Sequence, residues 1–125
     1  MKWFGYNHNT DFWLPLSGKV KPNEVPDETT VRICLENTGI HLRLLGEKAP
    51  VEGGLIRPYG NQLIKINPTH EQVNLVYLAM PTLGKQSENT NNSPDTVTWF
   101  SLDEINSLKT HSSVVAWSNF FCNCI

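Results

Sequence analysis

The segment between Pro26 and Gly39 constrains the fold of this chain more than any other part of the sequence. A proline in the first turn, the acids Asp27 and Glu28 beside it and a glycine behind the last residue are signals that begin and end a helix. Several β-branched residues lower the intrinsic helix propensity of the segment. Packing against the rest of the protein must therefore hold this helix in place.

The helix is predicted to have two different faces. Its apolar residues Val31, Cys34 and Leu35 are spaced i, i+3 and i+4, which predicts the face that lies on a sheet. Arg32 and Glu36 are four residues apart and share another face. We expect this second face to carry any polar chemistry of the helix.

Short β-branched or aromatic runs around the helix predict strands. These runs lie at residues 40–45, 54–57, 62–66, 72–79 and 96–100. The run at 72–79 becomes continuously apolar toward its end, which is typical of a strand at the centre of a sheet. One helix among these strands indicates an α+β fold.

Two shorter helices are predicted near the end of the chain. Ser101 and Glu104 have the spacing of a capping box, which predicts a helix through Leu108. A further helix is expected over residues 114–121. Because 125 residues, 39% of them hydrophobic, can bury one sizeable core, we expect a single domain spanning residues 1–125.

Charge and hydropathy exclude several classes of function. The formal net charge of -2 gives no basic surface for bulk nucleic acid. No apolar run approaches the roughly 20 residues that span a bilayer, and the first residues lack the apolar segment of a secretory signal. Three cysteines form no disulfide framework. These observations predict a cytoplasmic protein without a membrane partner.

The stretch of residues 18–40 carries a recognisable motif. Gly18 is followed after five residues by Glu24, then after seven residues by Arg32, with Glu36 and Gly39 behind it. This spacing resembles the box of the Nudix family, G-x5-E-x7-R-E-U-x-E-E-x-G-U, where U is aliphatic. Residues 71–79 resemble the central strand of that family and residues 97–105 its segment from strand to final helix, so the resemblance covers roughly residues 12–110.

The resemblance implies a fold and a mechanism. The fold is a Nudix-like α/β/α sandwich with a mixed central β-sheet. Because about 17 residues precede the box, we expect its N-terminal strand to be truncated, exchanged between chains or absent. The activity implied is metal-dependent cleavage of the pyrophosphate in a nucleoside diphosphate linked to another moiety.

The family pattern assigns roles to individual residues. Arg32 and Glu36 are the predicted catalytic residues, Glu36 and Asn37 the predicted ligands of Mg²⁺ or Mn²⁺, and Gly18, Glu24 and Gly39 the structural residues of the box. Two alternatives stay open at these positions. Arg32 can form a salt bridge with Glu24 or contact phosphate directly, and Glu36 can be a metal ligand or an ordinary solvated acid.

The box departs from the family pattern at acidic positions. Ile33 and Asn37 stand where the pattern has glutamates, and Ser17 stands where it has a glycine. Isoleucine can neither bind a cation nor accept a proton, and we expect it to make the surface at the ion apolar. A further acidic ligand is expected from Glu88 or Asp95.

These departures leave two functions open. The first is a hydrolase weakened by its degenerate box. The second is a non-catalytic module that binds a nucleotide or a protein through the same cleft. Both predict a nucleotide-like small molecule as a candidate partner, and a homodimer is a further assembly to be tested.

Overall fold

The computed structural model describes residues 2–7, 12–82 and 97–122 of the chain. The elements are β1 (Lys2–Asn7), β2 (Phe12–Pro15), α1 (Pro26–Thr38), β3 (Leu42–Leu44), β4 (Gly60–Asn67), β5 (His70–Val76), β6 (Ala79–Pro81), β7 (Val97–Phe100), α2 (Leu102–Ser107) and α3 (Ser112–Cys122). This combination of strands and helices confirms the predicted α+β class. None of the helices in the described ranges is both long and apolar enough to cross a bilayer.

The described strands form three hydrogen-bonded groups. β1 lies between β2 and β7, β3 pairs with β6, and β4 pairs with β5. Each pairing that the structure describes is antiparallel. The expectation that the N-terminal strand is truncated, exchanged between chains or absent was wrong, because β1 pairs with both β2 and β7 of the same chain. The number of domains is not tested by these pairings, and the single domain stays a prediction.

Helix α1 begins and ends where its sequence signals predict. The carboxylate of Glu28 accepts a hydrogen bond of 3.1 Å from the backbone N–H of Val25. At the other end Gly39 adopts φ 74° and donates its N–H to the carbonyl of Leu35 at 2.9 Å. A left-handed residue of this kind is why a glycine ends the helix.

The buried side of α1 differs from the predicted one. The helix packs on β3, but its buried residues are Thr29, Ile33 and Cys34. Val31 and Leu35 are only partly buried, so the prediction was right for Cys34 and wrong in leaving out Ile33. The apolar spacing alone could not reveal that the loop before α1 also covers Ile33.

A small core lies where α2 and α3 meet. The capping box is confirmed, since Ser101 donates its N–H to the Glu104 carboxylate at 2.8 Å and its hydroxyl accepts the N–H of Glu104 at 3.2 Å. It directs Ile105 inward, where that side chain is fully buried beside Val114. The N–H of Trp13 joins β2 to this unit through the carbonyl of Lys109 at 3.0 Å.

Two strand predictions were wrong. Residues 54–57 form only an isolated bridge, between Lys48 and Ile56, because the chain turns sharply at Gly53, which has φ 75°. The run at 72–79 divides into β5 and β6 instead of forming one central strand. Most of β5 is exposed, and among the residues described it pairs only with β4.

Candidate functional site

The loop before α1 is joined to the helix by an arginine fork. Arg32 donates from Nε to Glu24 Oε2 at 2.7 Å and from Nη2 to Glu24 Oε1 at 3.1 Å. Two parallel bonds of this kind fix both distance and orientation, because the planar guanidinium matches the carboxylate. The structure therefore places the predicted pair Glu24 and Arg32 in direct contact.

Glu24 is held by further donors. The Thr29 hydroxyl donates to its Oε1 at 2.7 Å, and the backbone N–H of Lys21 donates to the same oxygen at 3.1 Å. The Arg32 hydrogen bond, followed by those of Lys21 and Thr29, lowers the pKa of Glu24 from 4.5 to about 2. The carboxylate is thus ionised at neutral pH and bound from several sides.

Arg32 also reaches toward the end of the helix and toward the preceding loop. Its Nη1 donates to Glu36 Oε1 at 2.8 Å, and its Nη2 donates to the carbonyl of Lys19 at 3.1 Å. The contacts with Glu24 and then Glu36 raise the pKa of the guanidinium above its already high value. One side chain thereby sets the positions of the loop, the helix and Glu36 relative to each other.

Glu36 combines a fixed position with access to solvent. Its side chain is 51% exposed, and Arg32 binds one of its two carboxylate oxygens. The other oxygen has no hydrogen-bond partner among the residues described. This geometry permits Glu36 to act as a ligand.

Ile33 does not lie on the surface where we expected it. Its side chain is buried, at 8% exposure, and it packs on the backbone of Gly18, where an added Cβ would overlap Ile33 Cδ1. The expectation that Ile33 makes an exposed ion surface apolar was therefore wrong. An added Cβ at position 18 would therefore require the Ile33 side chain to shift.

Asn37 uses half of its amide within the helix. Its Nδ2 donates to the carbonyl of Ile33 at 2.8 Å. The donor side is thus occupied, and no described residue donates to the Oδ1 atom. Near the end of α1, the amide oxygen of Asn37 is thus available at the position next in sequence to Glu36.

The donor set fits only some divalent cations. No group of three or more His, Cys, Asp or Glu side chains that could hold a metal occurs in the described part of the chain. Glu36 carries a carboxylate, and Asn37 carries an amide oxygen, Oδ1. Such a set fits a hard cation like Mg²⁺, which uses few protein ligands and completes its shell with water and phosphate. The candidates Glu88 and Asp95 lie outside the described residues.

A groove beside the first half of α1, which shares Glu24 and Arg32 with the arginine fork, was not predicted. It has a volume of about 600 Å³ and is lined by Asn23, Glu24, Asp27, Glu28, Val31, Arg32, Leu44 and Ile56. Asp27 accepts the N–H of Ile56 at 2.9 Å and the hydroxyl of Tyr77 at 3.3 Å. Burial, reinforced by the Asp27 charge, raises the pKa of Tyr77 to about 12. Asp27 was predicted only as an acid of the first helical turn, because nothing local signals its contact with Tyr77.

Comparisons with known proteins agree with this fold. The fold is similar to that of a solved structure described as a hydrolase of the Nudix family from Clostridium perfringens, with a TM-score of 0.74. The similarity covers 93% of this chain and 83% of the other chain. At 21% sequence identity this likeness concerns the fold. A comparison with curated proteins finds no match. The model of the NUDIX domain matches residues 4–117, and the chain therefore belongs to the Nudix family.

Proposed function

We propose that this chain is a slow Nudix hydrolase that cleaves the pyrophosphate of a nucleoside diphosphate linked to another moiety. The observation that supports this proposal is the presentation of Glu36. Arg32 binds one oxygen of its carboxylate and leaves the other without a described partner, while half of the side chain remains exposed. A carboxylate held in this way can receive a cation without losing the contact that positions it.

Glu36 and Asn37 Oδ1 are the residues that would hold Mg²⁺ or Mn²⁺ in this proposal. When bound there, the cation would neutralise charge on the pyrophosphate and polarise its phosphorus–oxygen bonds. The chain itself contributes positioning, since Arg32 fixes Glu36 and the Lys19 carbonyl against each other. Ile33 supplies neither a ligand nor a base, so we expect slow turnover.

A second candidate function is binding without catalysis. It is favoured by the burial of Ile33 and by the hydrogen bond from Asn37 to its own helix, because both residues then serve the fold. Under this alternative the cleft recognises a nucleotide-like molecule without metal. The formal net charge of -2 supports such a small ligand over bulk nucleic acid.

A substrate panel separates the two functions. Release of the nucleoside monophosphate is measured by chromatography with a panel of nucleoside diphosphate derivatives in the presence of Mg²⁺ or Mn²⁺, for the natural chain and for Glu36→Gln. The hydrolase proposal expects release that requires the metal and is lost in the variant. Absence of release across the panel, from a sample that melts cooperatively, would contradict it.

Thermal melting with the same nucleotides tests the alternative. A ligand that binds only the folded state raises the melting temperature. A rise that is independent of metal, together with no turnover, supports the binding module. Asn37→Glu then tests whether the missing acid silences the site, and it is preferable to Ile33→Glu because Asn37 is not packed against Gly18.

A further inference from the structure

The hairpin of β4 and β5 has an aliphatic surface on the side where polar residues are usual. We call this side the outward face, and it consists of Asn61, Leu63, Lys65, Glu71, Val73 and Leu75. The strand register places Leu63 opposite Val73 and Leu75 opposite Asn61. Leu63, Val73 and Leu75 are 57%, 64% and 41% exposed. Three neighbouring aliphatic side chains thus lie in solvent on one side of a two-stranded sheet.

The other side of the hairpin is the one that packs on the protein. Gln62 accepts a hydrogen bond of 2.8 Å from the indole N–H of Trp117 in α3. A Cβ at Gly60 would overlap the ring of Trp117. Because side chains alternate along a strand, the residues between these contacts point away from α3. The apolar residues of a strand usually face the protein and the polar residues face solvent. Here the polar Gln62 faces α3, and the apolar Leu63 faces solvent.

A charge pair borders the aliphatic residues. Lys65 lies directly opposite Glu71 in the register, next to the pair of Leu63 and Val73. Consider a second copy that faces the first and is related to it by a two-fold axis parallel to the strands. In this arrangement β4 of each copy lies over β5 of the other. Lys65 then faces Glu71 of the second copy, and Leu63 faces its Val73. The outward face is therefore complementary to itself in both charge and apolar character.

We propose that the outward face is the interface of a symmetric homodimer, in which a second copy of this chain packs hairpin against hairpin. This inference goes beyond the proposed function and does not depend on it. Burial of the three aliphatic residues stabilises the dimer, and the crossed pairs of Lys65 and Glu71 set its orientation. The patch is small, so the dimer dissociates on dilution.

Sedimentation velocity over a dilution series of the full chain measures the association. We expect the weight-average mass to rise from one chain toward two as concentration increases. Val73→Lys places a charge in the aliphatic patch and should abolish this rise. Val51→Lys is the matched control, since Val51 is 69% exposed in a loop outside the hairpin. It should associate as the natural chain does.

A charge exchange between chains tests the geometry itself. Lys65→Glu alone and Glu71→Lys alone each place like charges across the interface, and each should raise the dimer dissociation constant by at least about tenfold. Mixing the two variants brings two glutamates against two lysines, so a heterodimer should form. The cross-strand repulsion within each chain persists in the mixture, and recovery there cannot come from repair of the fold.

The outcomes decide the proposal. A heterodimer in the mixture, with both variants melting cooperatively, supports it. A natural chain that stays monomeric at all concentrations overturns it, because the outward face is then either covered by another part of the chain or left in solvent. A dimer that survives Val73→Lys, or a mixture no more associated than its components, also overturns it.

Discussion

Two sides of α1 are held to the preceding loop of the Nudix box by different forces. On one side, Arg32 connects Glu24, Glu36 and the carbonyl of Lys19 through hydrogen bonds of 2.7–3.1 Å. On the other, Ile33 packs on Gly18 with no polar contact from its side chain. Both contacts fix the same junction of loop and helix. The contacts of Arg32 keep the Glu36 carboxylate accessible, whereas the packing on Gly18 removes Ile33 from solvent.

This difference shows what the isoleucine contributes where the family pattern has a glutamate. Burying an isoleucine side chain stabilises a fold by roughly 1.5–3 kcal/mol relative to leaving it exposed. A carboxylate in the same orientation would lose hydration against the Gly18 backbone. Position 33 therefore supports the junction at the expense of a metal ligand, and Glu36 is left as the only carboxylate of the predicted metal pair.

The largest expected effect concerns the polar side. In Glu36→Gln the side chain keeps an oxygen for Arg32 but loses its charge, so metal-dependent turnover should fall by at least about a hundredfold. Initial rates with Mn²⁺ measure the change, and Mn²⁺ binding in the presence of a nucleotide gives the same comparison independently of turnover. Glu52→Gln, at an exposed acid in another loop, serves as the control. Equal rates for the natural chain, Glu36→Gln and Glu52→Gln would show that Glu36 is an ordinary solvated acid.

On the buried side, Ile33→Ala should lower the free energy of unfolding by about 2–5 kcal/mol, because it removes packed methyl groups and leaves a cavity. Urea unfolding measures this change. Val51→Ala is the matched control at a side chain that is 69% exposed, and it should change the free energy by no more than about 0.5 kcal/mol. A loss at position 33 as small as that of the control would mean that Ile33 does not hold the junction.

The contact between Ile33 and Gly18 can be tested by itself. Gly18→Ala adds a Cβ where Ile33 Cδ1 lies, and overpacking of this kind costs about 1–3 kcal/mol. In the background of Ile33→Ala the added Cβ has room, so the double variant should be more stable than the sum of the two changes predicts. Additive changes would place the two residues out of contact. Denaturant unfolding of the four proteins completes the cycle.

Local signals were enough to predict α1, whereas the contact between Arg32 and Glu24 was one of two alternatives implied by the resemblance to the Nudix box. Proline, acids and glycine mark the ends of the helix, and the box spacing brings Arg32 near the preceding loop. The capping box at Ser101 was predicted for the same reason, since its bonds join residues that are close in sequence. These features depend on few residues, and each of those residues is visible in the sequence.

Contacts between distant segments were not predictable in this way. The strands β1 and β2 were missed: they pair with each other as neighbours in the sequence, but β1 is also held by β7, which lies near the other end of the chain. Position 33 was misread because its burial depends on the path of the loop around Gly18. β5 was placed at the sheet centre because aliphatic residues usually indicate burial, whereas here they lie on the outward face of the hairpin.

The smallest expected effect is the acid sensitivity of the polar side. Glu24 has a pKa of about 2 in the folded chain against an ordinary value of 4.5. Because the folded pKa is the lower one, the contribution of this carboxylate is complete above pH 4.5 and is lost as pH falls toward 2. Urea unfolding across this range should show stability falling with pH, and Glu24→Gln should flatten that slope.

Arg32→Gln provides the matched test, because it removes the main cause of the lowered pKa while leaving Glu24 in place. It should flatten the slope over the same pH range, and the double variant should flatten it little further, since both changes break one contact. Ile33→Val leaves this contact intact and should lower stability equally at each pH. If the acid slope persists in both charge variants, packing on Gly18 holds the junction and the arginine fork serves only to orient Glu36.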